Sequence, residues 1–402
     1  MKAAIIAPCP PPYGGIVRVI ENNLALWPND RIQAHFLPMY APENPEPPAL
    51  ATFMDLNSPQ RQQGLSQSLK YAAQFARILP VTRPSNAMHI FRYAAALEAY
   101  VKENDIDVIY AHELWPAGAV AHMVARTTGA ASVVAAYGES FGVDPQHKRW
   151  RRASKWTVSH ADFLVATSCH CITGAQLLSQ RPSELSQIIY AGIDTEKFNP
   201  SVDGTNWRNR NNIDPSAFVV SVLGLVLKRK LDIFVQALRL MDSDTKIVAV
   251  IGGKGQDEQY FQDATKDLQN VNLLFVGFVP EEDLPEFYAA SDVLVVSPRT
   301  ELECMGQSMK EAMACSVATV GANIGGIPEA IEHGVNGLLY EADNPQDLAK
   351  SLNNLRADPN FRMQLAKAGR ETAESKFSAV AAADSTLQVF ERAIKVSKER
   401  AN

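Results

Sequence analysis

One pattern constrains this chain more than any other. Short, unbroken apolar runs alternate with helical stretches, and the alternation runs through twice. In the first pass Ala3–Ala7 is an apolar run, followed by a Pro/Gly turn and a helical stretch from Ile16 to Leu26. Asp107–Ala111, Ser132–Ala136 and Phe163–Thr167 continue it. The second pass holds Phe218–Leu223, a helical Asp232–Leu240, then Lys246–Ile251, Asn272–Val276, Asp292–Val296 and Val317–Val320. A strand covered on both faces needs a continuous apolar run, and the helices between such runs supply the cover. The sequence therefore predicts an α/β protein with two doubly wound, Rossmann-like domains. Asp194–Asp214, rich in Asn, Asp, Pro and Gly, reads as the linker, and Pro42–Pro59 as a polar loop within the first domain. A final helix from Val380 to Lys398 carries Leu387, Phe390 and Ile394 on one side.

The bulk numbers agree with two cores: 402 residues, 46% hydrophobic and 20% charged. A net charge of -6 argues against a nucleic-acid partner. The cysteines Cys9, Cys169, Cys171, Cys304 and Cys315 are odd in number and lack CxxC spacing, which fits a reducing compartment rather than a disulfide scaffold. Cys169-His170-Cys171 has no second ligand pair at zinc spacing, so no metal is expected. The N-terminal apolar run ends at Pro8, too short for a signal-peptide core. No run approaches the ~20 apolar residues that span a bilayer. The expected location is cytoplasmic.

Doubly wound sheets bind ligands at the carboxyl ends of their strands, and two such domains facing each other would share a central cleft. Two segments fall at such ends. Pro10 to Gly15 joins the first strand to the first helix; the paired Gly14 and Gly15 allow close backbone approach, and a helix N-terminus favours an anion. They equally suit a plain tight turn. The second segment runs from Arg299 to Ala312, where a loop leads into a helix near Gly306. Glu303 before that turn and Glu311 within the helix present two carboxylates, which bind vicinal hydroxyls well. By spacing alone they could also be solvated helix-surface groups.

The second segment resembles the E-x7-E motif of the retaining glycosyltransferases of family 4, which have the GT-B fold. Gly325-Gly326-Ile327-Pro328-Glu329 and Gly334-Val335-Asn336-Gly337-Leu338-Leu339 follow it with that family's spacing. Ala191-Gly192-Ile193-Asp194-Thr195-Glu196-Lys197-Phe198-Asn199-Pro200 resembles the family's interdomain motif. The resemblance implies an acceptor-side domain over 1–195, a nucleotide-sugar domain over 196–379, and a helix over 380–402 returning to the first. It implies that Glu311 holds a ribose, that Glu303 meets donor-sugar hydroxyls, and that Met305, Gly306 and Gln307 meet the diphosphate or sugar. Phe278 would flank the base, and Gly14 and Gly15 would border the donor. The donor is a substrate; no cofactor is implied.

Two departures from the family stand out. Its cationic clamp on the diphosphate aligns with Gly224 and Arg229, so one cation is missing, with Lys228 and Lys230 as substitutes. A His usual in the first domain is replaced by Tyr137, leaving His112, Tyr137 and Glu139 as candidates for donor or acceptor hydroxyls. Residues 147–156 hold five Lys/Arg and two Trp, which suits an anionic membrane surface or a lipid-linked acceptor, or a solvated helix face with a Trp turned inward. The expected reaction is hexosyl transfer from a nucleotide sugar to a hydroxyl of a glycan or lipid-linked acceptor, with retention, in polysaccharide or glycolipid synthesis. A nucleotide-sugar epimerase of the same fold, or a partner subunit without turnover, are the alternatives.

Overall fold

The computed structural model describes residues 1–9, 15–42, 44–58, 65–75, 84–141, 145–224, 226–241, 246–266, 268 and 271–401. Side chains at 65, 84–85, 145–149, 228–230 and 401 lie outside that description. The chain divides into two compact units, Met1–Gly192 with Ala379–Asn402, and Ile193–Ser378.

The first unit holds a seven-stranded parallel sheet: β1 (Lys2–Ile6), β2 (Gln33–Phe36), β3 (Thr52–Phe53), β4 (Val108–His112), β5 (Ala131–Ala136), β6 (Phe163–Ala166) and β7 (Ser186–Ile188), in the order β3-β2-β1-β4-β5-β6-β7. Strands β4 and β5 are buried at every position, as continuous apolar runs require. β2, β3 and β7 carry polar residues or only two or three positions, so no apolar run announces them. The helix Ala379–Ala401 closes this unit. Its Ala383, Leu387, Val389, Phe390 and Ala393 join the core around Trp27 and Tyr110, and Trp27 Nε1 donates to Ala383 O at 3.2 Å.

The second unit holds β8 (Phe218–Leu223), β9 (Ile247–Gly252), β10 (Asn272–Gly277), β11 (Val293–Val296), β12 (Ala318–Ala322) and β13 (Leu338–Tyr340), all parallel, in the order β10-β9-β8-β11-β12-β13. The segment Asp194–Asp214, which reads as a linker, belongs wholly to this unit and contains the helix Thr205–Arg210 with a buried Trp207. A single large aromatic among polar residues gives no helical periodicity to read. At the amino ends of the strands Asp292 gathers three partners: Val219 N–H at 2.8 Å, Arg208 at 3.1 Å and Arg362 at 3.1 Å.

Each sheet reverses direction once in its strand order, between β1 and β4 and between β8 and β11. These reversals are where doubly wound sheets open a crevice at the carboxyl ends of their strands. The candidate residues gather beside both.

Candidate active site

The second unit's site is built on the connection from β11 into the helix Gln307–Ala314. The turn needs Gly306, whose φ is 77°, a region that other residues enter only under strain. A second glycine fixes what lies beside it. Gly325 has φ 62°, and a Cβ there would stand 2.3 Å from Glu303 O. Gly326 N–H then donates to the same carbonyl at 3.1 Å. The Gly325-Gly326 pair thus holds the Glu303 backbone from across the loop. Glu303 itself is half-buried, and its Oε1 lies 3.8 Å from a Cβ built at Gly306. Met305 is buried beneath the turn, and Gln307 opens the helix with its Oε1 buried and unpartnered.

Glu311 is 2% exposed and accepts a hydrogen bond from Tyr288 Oη at 2.6 Å. The ring of Tyr288 packs edge-on against Phe198, with centroids 6.0 Å apart. Arg370 fastens the same corner, donating to Thr195 O at 3.1 Å, Phe198 O at 2.7 Å and Ala314 O at 2.7 Å. The run 191–200 therefore acts through Phe198 and Tyr288 to set the Glu311 carboxylate. Arg299, from the loop after β11, pairs with Asp232 at 3.1 Å and Asp343 at 2.5 Å. Asp232 lies one turn into the helix Lys228–Arg239, so this pair ties the loop to that helix. The side chains of Lys228, Arg229 and Lys230 fall outside the described ones.

Lys310 was not singled out by spacing. It is 1% exposed, and its ammonium lies 5.4 Å from the centroid of the Phe377 ring. Burial pulls it down to about 7, against the opposing pull of Glu311, Cys304 and Glu303. A lysine between two turns of a motif helix reads as surface in a sequence, and here it is interior. Gly224, at the missing clamp position, has φ 147°, and a Cβ on its neighbour Gly253 would meet Gly224 O at 1.8 Å. The backbone at the end of β8 is thus held where side chains are rarely tolerated. Phe278 follows β10 and is 54% exposed, three strands from β11, which at the spacing of paired strands is about 14 Å.

The first unit's candidates sit at the carboxyl ends of β4 and β5. His112 ends β4, is buried, and its Nδ1 lies 2.7 Å from Tyr137 Oη, while Nε2 has no partner. Burial lowers it to about 3, so the ring is neutral. Glu139 is drawn inward: Oε1 accepts from Leu114 N–H at 3.1 Å and Oε2 from Tyr137 N–H at 2.9 Å. Burial, with Glu113 nearby, pushes it up to about 8. Glu113 was missed by sequence reasoning, because its peculiarity lies in the backbone, at φ 87° and ψ 145°. Burial raises its carboxyl to about 7. Gly15 begins the helix Gly15–Leu26 and is exposed, and Gly14 lies outside the described residues. In the helix Pro145–His160, Arg151, Arg152 and Lys155 are exposed, while Trp150 and Trp156 pack against the first core. Among the described residues no helix is long and apolar enough to cross a membrane, and no group of three or more His, Cys, Asp or Glu is placed to hold a metal ion.

Two family models divide the chain between them: glycosyltransferase family 4 over residues 13–197, and glycosyl transferases group 1 over residues 203–372. With two parallel-sheet units joined in this way, the chain is a glycosyltransferase of the GT-B type. Among its relatives is spore coat protein SA of Bacillus subtilis, 26% identical over 75% of this chain and 82% of that protein. Another is D-inositol 3-phosphate glycosyltransferase 1 of Catenulispora acidiphila, 28% identical over 74% of each. Anabaena HepE, solved in complex with UDP-glucose, superposes with a TM-score of 0.75 at 21% identity, covering 97% of this chain and 99% of that one.

Proposed function

We propose that the enzyme moves a hexosyl group from a nucleotide sugar to a hydroxyl of a glycan or lipid-linked acceptor, with the anomeric configuration retained. The observation that carries this reading is the pair Glu303 and Glu311 on one strand-loop-helix connection beside the β8/β11 reversal. On this reading Glu311, held by Tyr288, receives the ribose hydroxyls through charge-assisted hydrogen bonds. Glu303 receives donor-sugar hydroxyls, and the amides opening the helix at Gln307 face the diphosphate. The family resemblance gives Arg229, with Lys228 and Lys230, the task of neutralising the leaving group, so that catalysis would be positioning plus electrostatic stabilisation without need of a metal. The UDP-glucose complex of HepE supports a nucleotide-sugar donor.

His112, Tyr137 and Glu139 belong to the first unit's share of donor or acceptor recognition. The exposed Arg151, Arg152 and Lys155 suit a protein working beside an anionic membrane surface, in polysaccharide or glycolipid synthesis. A nucleotide-release assay across donors, with a mixture of lipid-linked acceptors present, tests the reading. Acceptor-dependent release from one nucleotide sugar is the expected result. Background release from every donor overturns it, and an epimerised donor formed without acceptor replaces transfer by isomerisation.

A further inference from the structure

The loop after β2 leaves the carboxyl edge of the first sheet one strand from the β1/β4 reversal. It carries an aromatic ring that is held in place yet open to water. Tyr40 is 56% exposed, and its ring stacks on His89 with centroids 4.7 Å apart and planes 15° from parallel. The stack is anchored from beneath. His89, on the helix Pro84–Asn104, donates Nε2–H to Met39 O at 3.0 Å, and Asn57 Nδ2 donates to the same carbonyl at 3.0 Å. Tyr93 Oη, from the same helix, donates to Leu37 O. Met39 and Leu37 are buried. The chain leading to Tyr40 is therefore tied at two carbonyls, and one face of the ring is covered by imidazole. Single exposed aromatics are common on protein surfaces. One whose ring is fixed by a stack, at the edge where doubly wound sheets take their ligands, is set up for contact.

Glu113 lies on the same edge. It follows β4, two strands from β2, which at the spacing of paired strands is about 10 Å. Burial at the hydroxyl end of Tyr40 and, after it, the Glu113 carboxyl raise the phenol above its ordinary value of 10, so the two side chains share one crevice. Glu113 is half-buried, and its backbone is held at φ 87° and ψ 145° by bonds to Ala135 O at 3.0 Å and from Gly118 N–H at 3.1 Å. Glycine would take this φ without strain, so the carboxyl is kept at a cost.

We propose that Tyr40, braced by His89, is the platform on which the acceptor's sugar ring lies, with Glu113 bonding the hydroxyls at that ring's rim. This rests on the first unit's being the acceptor side. A pyranose with one face made only of C–H bonds offers slightly positive hydrogens to the negative face of an aromatic ring, and its hydroxyls radiate from the rim. A carboxyl serves such hydroxyls in either state, accepting when ionised and both accepting and donating when protonated. The fit is to an uncharged pyranoside with an unbroken C–H face, such as a β-glucoside or a β-galactoside.

The test uses the full chain and saturation-transfer NMR with methyl β-glucoside and methyl β-galactoside. Glucitol serves as a polyol without a ring face, and UDP is a separate probe. We expect at least one glycoside to bind, with saturation strongest on the hydrogens of one ring face, and glucitol to bind about tenfold or more weakly. Tyr40→Ala weakens that glycoside about tenfold, whereas Tyr40→Phe keeps it within about threefold, because the ring and not the hydroxyl carries the stack. Glu113→Gly, which suits the backbone conformation, weakens it about fivefold. All three variants leave UDP binding unchanged. No glycoside bound by the wild type, saturation spread evenly over the sugar, or binding unmoved by Tyr40→Ala would overturn the proposal. Failure of UDP to bind would instead sink the donor reading and leave the Tyr40→Ala result to decide the platform on its own.

Discussion

The two strand-order reversals make an instructive pair. Beside the β8/β11 reversal the working residues are cross-tied. Arg370 fastens three carbonyls, Tyr288 holds Glu311, Arg299 bridges Asp232 and Asp343, and the glycines sit where positive φ is required. Beside the β1/β4 reversal the tension runs the other way. A glutamate occupies a conformation that glycine would take freely, next to a second carboxyl and a neutral histidine with an orphaned nitrogen. The same architecture thus carries a braced site in one unit and a strained one in the other. Bracing suits a ligand that must always be held the same way; strain marks where a side chain has been kept for what it meets.

The contrast breaks or sharpens at four places, largest first. Arg370→Met should cost the second unit about 2–4 kcal/mol, read by urea unfolding, because three carbonyls lose a charged donor. A loss below ~1 kcal/mol would show the bracing to be ornamental. Glu311→Ala should weaken UDP binding by about 100-fold in calorimetry while sugar binding by the first unit is unmoved. Equal loss of both ligands would dissolve the division between the two regions.

Lys310→Met should stabilise the chain by about 1–3 kcal/mol at pH 7 and below. Its ammonium titrates near 7 when folded and at 10.5 ordinarily. Between those values the unfolded chain holds more protons, so wild-type stability rises with pH across that window and the advantage of Met shrinks. A gain that is flat from pH 6 to 10 would contradict the buried charge. The smallest effect is at Glu113→Gly, a gain of about 1 kcal/mol from relieved strain net of glycine's entropy. The wild-type carboxyl is raised from 4.5 to about 7, so the folded chain holds more protons there and stability falls as pH rises through that range. Glu113→Gln should remove its share of that slope and leave the share of Glu139, whose carboxyl is raised to about 8; a slope unchanged by the substitution would place the titration elsewhere.

Much of this was legible from residue types. Strands buried on both faces must be apolar throughout, so β1, β4, β5, β6, β8, β9 and β11 announce themselves. β2, β3, β7 and β13 do not, being short, at or near sheet edges and partly polar. Glu303 and Glu311 were singled out by the resemblance of their segment to the E-x7-E motif, since two carboxylates by spacing alone could equally be solvated surface groups. What brings them to bear was not: Phe198 acts through Tyr288, and Gly325 through a carbonyl 22 residues earlier in the chain, at Glu303. Lys310 misleads because composition cannot say that a helix has no solvent face at that position. Glu113 is invisible because backbone torsion leaves no mark on residue type.

The helix Ala379–Ala401 has a consequence for how the protein comes into being. Domains of a growing chain ordinarily mature in the order in which they are made. Here the first unit lacks Leu387, Val389 and Phe390 of its core until the helix Ala379–Ala401 is made, whereas the residues of the second, Ile193–Ser378, all precede that helix. Of these two units, the one begun first is closed by residues made after the other. A chain cut after Ser378 would keep every strand of the second unit and leave Trp27 and Tyr110 of the first without their cover.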